Sequence, residues 1–92
     1  MVTLPIKKKW FDMISSGEKK EEYREINQYY LSRFVHAVDA NGEFLVALRN
    51  GYSCQSPTLT VRVSIDVGYG VEKWGAMPDK QYFVLKILEI IS

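Results

Sequence analysis

The chain has 92 residues, a hydrophobic fraction of 47%, a charged fraction of 25% and a formal net charge of +1. That length gives one domain, residues 1–92, with a single core. Six Tyr, four Phe and two Trp exclude a disordered chain, and the near-neutral balance excludes nucleic-acid binding through bulk basicity alone, while leaving room for a local basic pocket.

In chain order, a short strand at Thr3–Leu4 leads through Pro5 into a helix. Ile6, Trp10, Met13 and Ile14 fall at i, i+4, i+7 and i+8, one helical face, and Lys7, Lys8, Lys9 and Asp12 take the other sides. The spacing predicts a helix from about Lys7 to Ser16, with Gly17 placed for a left-handed cap. Lys20 to Glu25 offers one apolar body, Tyr23, so a helix there has no face to bury. A strand from about Lys20 to Arg24 fits better, with Lys20, Glu22 and Arg24 on one side and Glu21, Tyr23 and Glu25 on the other. Ile26, Tyr29, Tyr30 and Phe34 then begin a second helical spacing.

Asn41-Gly42 and Asn50-Gly51 signal turns around a strand from Glu43 to Arg49, whose Phe44, Val46 and Leu48 face one way. Leu59 to Val67 has apolar residues at all five odd positions and polar ones at all four even positions, the pattern of a half-buried strand. Gly68 and Gly70 bend or end it. Val71 to Lys80 reads as an irregular loop, and Gln81 to Glu89 as a last strand with Phe83, Leu85 and Ile87 on one face. The expected class is α+β, mostly β: a small barrel or strongly curved sheet with two short helices covering its openings.

The one cysteine, Cys54, forms neither an internal disulfide nor a multi-thiolate metal site, and is expected to be a small packed or loop residue. The one histidine, His36, has no motif around it that would make a dyad with Cys54. No metal site or cofactor is expected. The first ten residues hold no apolar run of a secretory signal, and no segment approaches the ~18–20 apolar residues of a membrane helix. A cytoplasmic monomer or homodimer with no membrane partner is expected.

The densest chemistry lies in Gly17, Lys19, Glu22 and Arg24, spelling G-x-K-x-x-E-x-R. Gly17 allows a sharp turn from helix to strand. Glu22 and Arg24, two apart on a strand, share a face. Arg24 presents a planar fork suited to phosphate, carboxylate or a base edge. Glu22 either holds that fork or accepts from an exocyclic amine, and Lys19 adds a mobile positive charge. A cleft of this make-up suits a nucleotide. The competing explanation is a solvated strand whose surface pairs are worth only ~0–1 kcal/mol. Arg49-Asn50-Gly51-Tyr52 is a second candidate: Arg49 has the opposite parity from Phe44, Val46 and Leu48, and can point into a cleft beside Arg24. Asn50-Gly51 also fits a plain tight turn, and Tyr52 either stacks on a base or covers the barrel's end. Trp74, in a Gly-rich loop, either forms a stacking lid or packs on the rim. Lys7, Lys8 and Lys9 read as a solvated helix face, opposed by the helix dipole in a way that an anionic partner would relieve.

The G-x-K-x-x-E-x-R run resembles the signature of the ASCH domain family, whose fold is similar to that of the PUA RNA-binding domains. The leading helix ending in Ser16-Gly17, the Glu22-Tyr23-Arg24 run, the Arg49-Asn50-Gly51-Tyr52 turn and the Trp74-Gly75-Ala76 loop before a Tyr-Phe-Val-Leu-Lys strand extend the likeness to small bacterial and phage members over nearly the whole chain. The resemblance implies a PUA-like β-barrel with a cleft between barrel and helices, and an RNA-derived ligand or nucleotide. In it Lys19, Arg24 and Arg49 contact phosphate or a base carbonyl, Glu22 orients Arg24 or reads an amino group, and Asn50, Tyr52 and Trp74 complete the ligand-binding set. It also implies a rival function. Some relatives are amidohydrolases of acylated cytidines that use the motif lysine with a threonine nucleophile and a glutamate, and others cleave RNA. Here Lys19 and Glu22 would be the catalytic pair, Glu22 stands where the threonine would be, and Glu72 is a candidate for the family's glutamate. A third function is a protein-interaction module without ligand, pairing through the apolar strand Lys86–Ile91.

Overall fold

The structure is a computed structural model and describes all 92 residues. The elements run β1 (Val2–Ile6), α1 (Lys8–Ser15), β2 (Glu21–Arg24), α2 (Gln28–Ala37), β3 (Glu43–Asn50), β4 (Thr58–Tyr69), a one-turn 3-10 helix (Glu72–Trp74) and β5 (Gln81–Ile90). The five strands form one sheet in the order β1-β3-β4-β5-β2. β1 runs parallel to β3 and every other neighbouring pair is antiparallel. The result is a compact α+β fold, a half-barrel of five strands with two helices.

The alternating apolar residues of the sequence supply its core. Phe44, Val46 and Leu48 of β3 and Val61 and Val63 of β4 are buried, joined by Leu4 and Ile6 of β1 and Phe83 and Leu85 of β5. α1 contributes Ile14, and α2 contributes Phe34, whose ring sits 5.6 Å from Phe44 and 5.5 Å from Phe83. α1 packs against β3 and α2 against β1. α1 ends where the glycine predicts it: Gly17 has φ +85°, and the Gly17 amide donates to the Ile14 carbonyl.

Four elements differ from the sequence expectation. β1 runs Val2–Ile6, so Pro5 and Ile6 lie in the strand, paired with Arg49 and Asn50, and not at the junction and on the face of α1. β4 continues through Gly68 to Tyr69, and its last apolar residue of the alternating set, Val67, is exposed although its partner across the sheet, Phe83, is buried. The 71–80 segment contains the 3-10 turn at Glu72–Trp74. Of the second helical set, Ile26 precedes α2 and is exposed with Tyr29; Phe34 alone is fully buried, and Tyr30 is half-buried against it.

The two edge strands, β1 and β2, are not paired with each other. The outward carbonyls of β1 are instead met by side chains. Arg24 of β2 donates through Nη2 to the Pro5 carbonyl at 3.0 Å, and Arg33 of α2 donates through Nη2 to the Thr3 carbonyl at 3.1 Å. Pro5 carries no amide hydrogen to leave unpaired on this edge.

Candidate functional site

The motif carboxylate, Glu22, lies between two cations. Its Oε1 is 3.2 Å from the Lys19 ammonium and its Oε2 is 2.8 Å from Arg24 Nη2. The register explains the placement: Glu22 opposes the fully buried Leu85 and Arg24 opposes Phe83, so the Glu22/Arg24 face of β2 turns inward. Glu22 is 7% exposed. Arg24 also reaches the Tyr30 hydroxyl at 3.4 Å, while its Nε is buried without a partner. Burial works against the Arg24 charge, but Glu22 and Tyr30 outweigh it and hold the guanidinium above its ordinary pKa.

Lys19 is 1% exposed, the most deeply buried charged residue of the chain. Its ammonium donates to the Trp74 carbonyl at 2.6 Å and stands 4.9 Å from the Tyr23 ring and 5.1 Å from the Trp10 ring. Burial lowers its pKa from the ordinary lysine value, and Glu22 recovers only part of that loss. The 71–80 segment closes over it through a second anchor, the Val71 amide donating to the Tyr23 hydroxyl at 2.8 Å. Tyr23 in turn donates to Glu21 at 2.7 Å, and burial raises its pKa well above the usual tyrosine value.

A cleft of about 480 Å³ opens at the carboxyl ends of the parallel pair, where Ile6 lies beside Asn50. Its walls are Pro5 and Ile6 of β1, Lys7, Lys8 and Trp10 at the start of α1, Arg24 of β2, and Asn50, Gly51 and Tyr52 at the end of β3. Three of these residues are cations and none is a carboxylate, though the Lys8 ammonium donates to Asp12 of α1 at 2.6 Å on the exposed helix surface. The first turn of α1 also lacks an acidic residue and a side-chain cap, so its free amides add to the positive character of the rim.

Of the residues singled out in the sequence, Arg24, Asn50 and Tyr52 therefore meet at this cleft. Lys19 and Glu22 lie beneath it: Glu22 reaches the cleft only through Arg24, and the Lys19 side chain has no surface with which to touch a ligand. Arg49 does not line the cleft. Strand alternation puts it on the other face from Leu48 and Asn50, and its Nε is buried without a partner. Trp74 does not line it either; its carbonyl serves Lys19, and its indole Nε1 is buried and unpartnered. Glu72 is exposed at the start of the 3-10 turn.

Trp10 is absent from the ligand-binding set read from the sequence, and Lys7 and Lys8 enter that reading only as a helix face that an anionic partner would relieve. All three belonged to a predicted helix, and what brings them to the cleft is the parallel pairing of β1 with β3, a long-range feature that helical spacing does not carry. Cys54 is exposed in the loop after β3, while His36 is exposed near the strand's opposite end beside Glu43, so the two form no dyad. No group of three or more His, Cys, Asp or Glu side chains is placed to hold a metal ion, and no helix is long and apolar enough to cross a membrane. No family model, curated protein or solved structure matches the chain.

Proposed function

We propose that the protein is an RNA- or nucleotide-binding domain with a PUA-like barrel of the ASCH type, and that its ligand occupies the cleft at the ends of β1 and β3. The observation that carries this is the make-up of the walls: Lys7, Lys8 and Arg24 beside Trp10 and Tyr52, with the carboxylates that pair Lys8 and Arg24, Asp12 and Glu22, lying outside the lining. Cations meet phosphate, rings meet bases, and Asn50 can hydrogen-bond a base edge. Glu22 holds the Arg24 fork at 2.8 Å, so the guanidinium is oriented before a ligand arrives.

The test is fluorescence anisotropy of a labelled single-stranded RNA oligomer as salt is varied. If all three cations meet phosphates, the logarithm of affinity falls with the logarithm of salt with a slope of about −2. Lys7→Ala/Lys8→Ala, at two exposed positions, weakens binding without a large change in melting temperature. Binding that is salt-independent, or that is untouched in the double variant, overturns the proposal.

A small hydrolase acting on a modified nucleoside or on RNA is the second function, favoured by one observation: the Lys19–Glu22 pair at 3.2 Å with a lowered lysine pKa. Against it stands the lack of exposure of the Lys19 side chain. Release of acid from N4-acetylcytidine, or RNA cleavage, lost in Lys19→Ala, would replace the binding-only function; no turnover is the expected result.

A further inference from the structure

Two rings line the cleft, and they differ in how they are held. Tyr52 is 89% exposed on the loop after β3. Trp10 is half-buried on α1 and is held by its neighbours. The backbone of Gly75 lies so close to it that a Cβ there would stand 3.1 Å from Trp10 Cζ2 and 3.3 Å from Cε2. The buried Lys19 ammonium lies over the ring, 5.1 Å from its centroid; that of Lys9, an exposed residue, lies over it at 4.7 Å and competes with a ligand for the ring instead of fixing it. A ring held in this way gives up little conformational freedom when a flat ligand stacks on it, whereas an exposed tyrosine on a loop must first be ordered.

We infer that Trp10 is the stacking platform and the specificity-determining residue of the cleft. The ligand it selects is an aromatic anion of the nucleoside monophosphate kind, with the base on Trp10 and the phosphate among Lys7, Lys8 and Arg24. The inference rests on the binding function proposed above and adds a ligand class to it. A bare phosphate satisfies the cations and leaves the ring unused; a nucleoside stacks and leaves the cations unused. Only a unit with both parts uses both walls. Such a unit comes either as a free mononucleotide or as part of an RNA strand.

Trp10 emission reads the stacking directly once the other tryptophan is removed. Trp74→Phe does this without loss of a hydrogen bond, since the Trp74 Nε1 has no partner. In Trp74→Phe, a nucleoside monophosphate is expected to quench emission saturably, and inorganic phosphate or ribose 5-phosphate to leave it nearly unchanged. Trp10→Leu is expected to weaken mononucleotide binding about tenfold or more, with phosphate binding unchanged and with most of the loss restored in Trp10→Phe. A short RNA oligomer that binds more tightly than the mononucleotide with the same Trp10 dependence identifies RNA as the source; equal affinities identify the free nucleotide. Mononucleotide binding that is the same in Trp10→Leu, or that saturates in Trp74→Phe with unchanged emission, overturns the inference and leaves the binding function standing. If Trp10→Leu does not fold, the emission of Trp74→Phe still decides. Failure of the wild-type protein to bind mononucleotide or RNA removes both.

Discussion

Arg24 of β2 donates to the Pro5 carbonyl of β1 at 3.0 Å, and so links the two edge strands of a sheet that does not close. The same side chain lines the cleft. Arg24 is therefore both a fastening of the half-barrel and a candidate ligand contact, and a variant that removes it confuses the two. Arg24→Lys separates them in part. It keeps a charge beside Glu22 but loses the planar fork whose Nη2 serves both Glu22 and Pro5 while Nη1 reaches the Tyr30 hydroxyl. We expect a loss of about 1–3 kcal/mol in urea unfolding and faster amide exchange in Val2–Ile6. Unchanged exchange in β1 would show that the edge strand is held without Arg24.

The carboxylate between Lys19 and Arg24 is the member of the triad that the other two cannot spare. Removing it leaves the buried Lys19 and the partly buried Arg24 without a counter-charge, so Glu22→Ala is expected to cost about 3 kcal/mol, the low end of the range for a broken buried pair. Lys19→Met is expected to cost less, because Glu22 keeps its 2.8 Å contact with Arg24. Chemical denaturation of the two single variants and their double gives the ranking and the coupling. A milder effect for Glu22→Ala than for Lys19→Met would contradict this account.

Lys19 also gives the protein a pH dependence of definite sign. Its folded-state pKa lies below the ordinary 10.5, so between the two values the unfolded chain binds more protons than the folded one, and stability rises with pH through that window. Tyr23 acts in the other direction. Its folded-state pKa lies above 10.0, so its contribution is complete below pH 10 and is lost as pH rises further. The stability of wild type relative to Lys19→Met should increase as pH approaches 10.5, and that relative to Tyr23→Phe should decrease above pH 10. Melting curves across this range check both; a relative stability that falls with pH for Lys19→Met would refute the first.

Gly75 is required twice over. Its φ of +106° is left-handed, and its missing side chain is what lets Trp10 lie against it. Gly75→Ala should destabilise the protein by at least about 1 kcal/mol and shift Trp10 emission, since the ring must move by a few tenths of an ångström. Wild-type stability and emission in this variant would mean that the 71–80 segment does not set the position of Trp10.

The local parts of this fold are legible in the sequence. The alternation of Phe44, Val46 and Leu48, and of Leu59 to Ile65, is a property of a strand and its own two faces. What joins elements together is less so. Nothing near Thr3–Leu4 says that this strand pairs in parallel with Glu43–Asn50, yet that pairing brings Lys7, Lys8 and Trp10 to the cleft. Parity showed correctly that Arg49 faces away from Leu48, but only the sheet order reveals that the cleft lies on the Leu48 side. The motif spacing put Lys19, Glu22 and Arg24 together. It did not show that a segment more than fifty residues later, anchored by the Trp74 carbonyl, closes over Lys19.

The central claim is that nucleotide binds at the junction of β1, β3 and α1. Amide chemical-shift mapping with a nucleoside monophosphate tests it most directly. The largest shifts should fall on Ile6, Lys7, Lys8, Asn50, Gly51 and the Trp10 indole. Shifts that cluster elsewhere, such as the Asp66–Tyr69 end of β4, or no shifts at millimolar ligand, would contradict it.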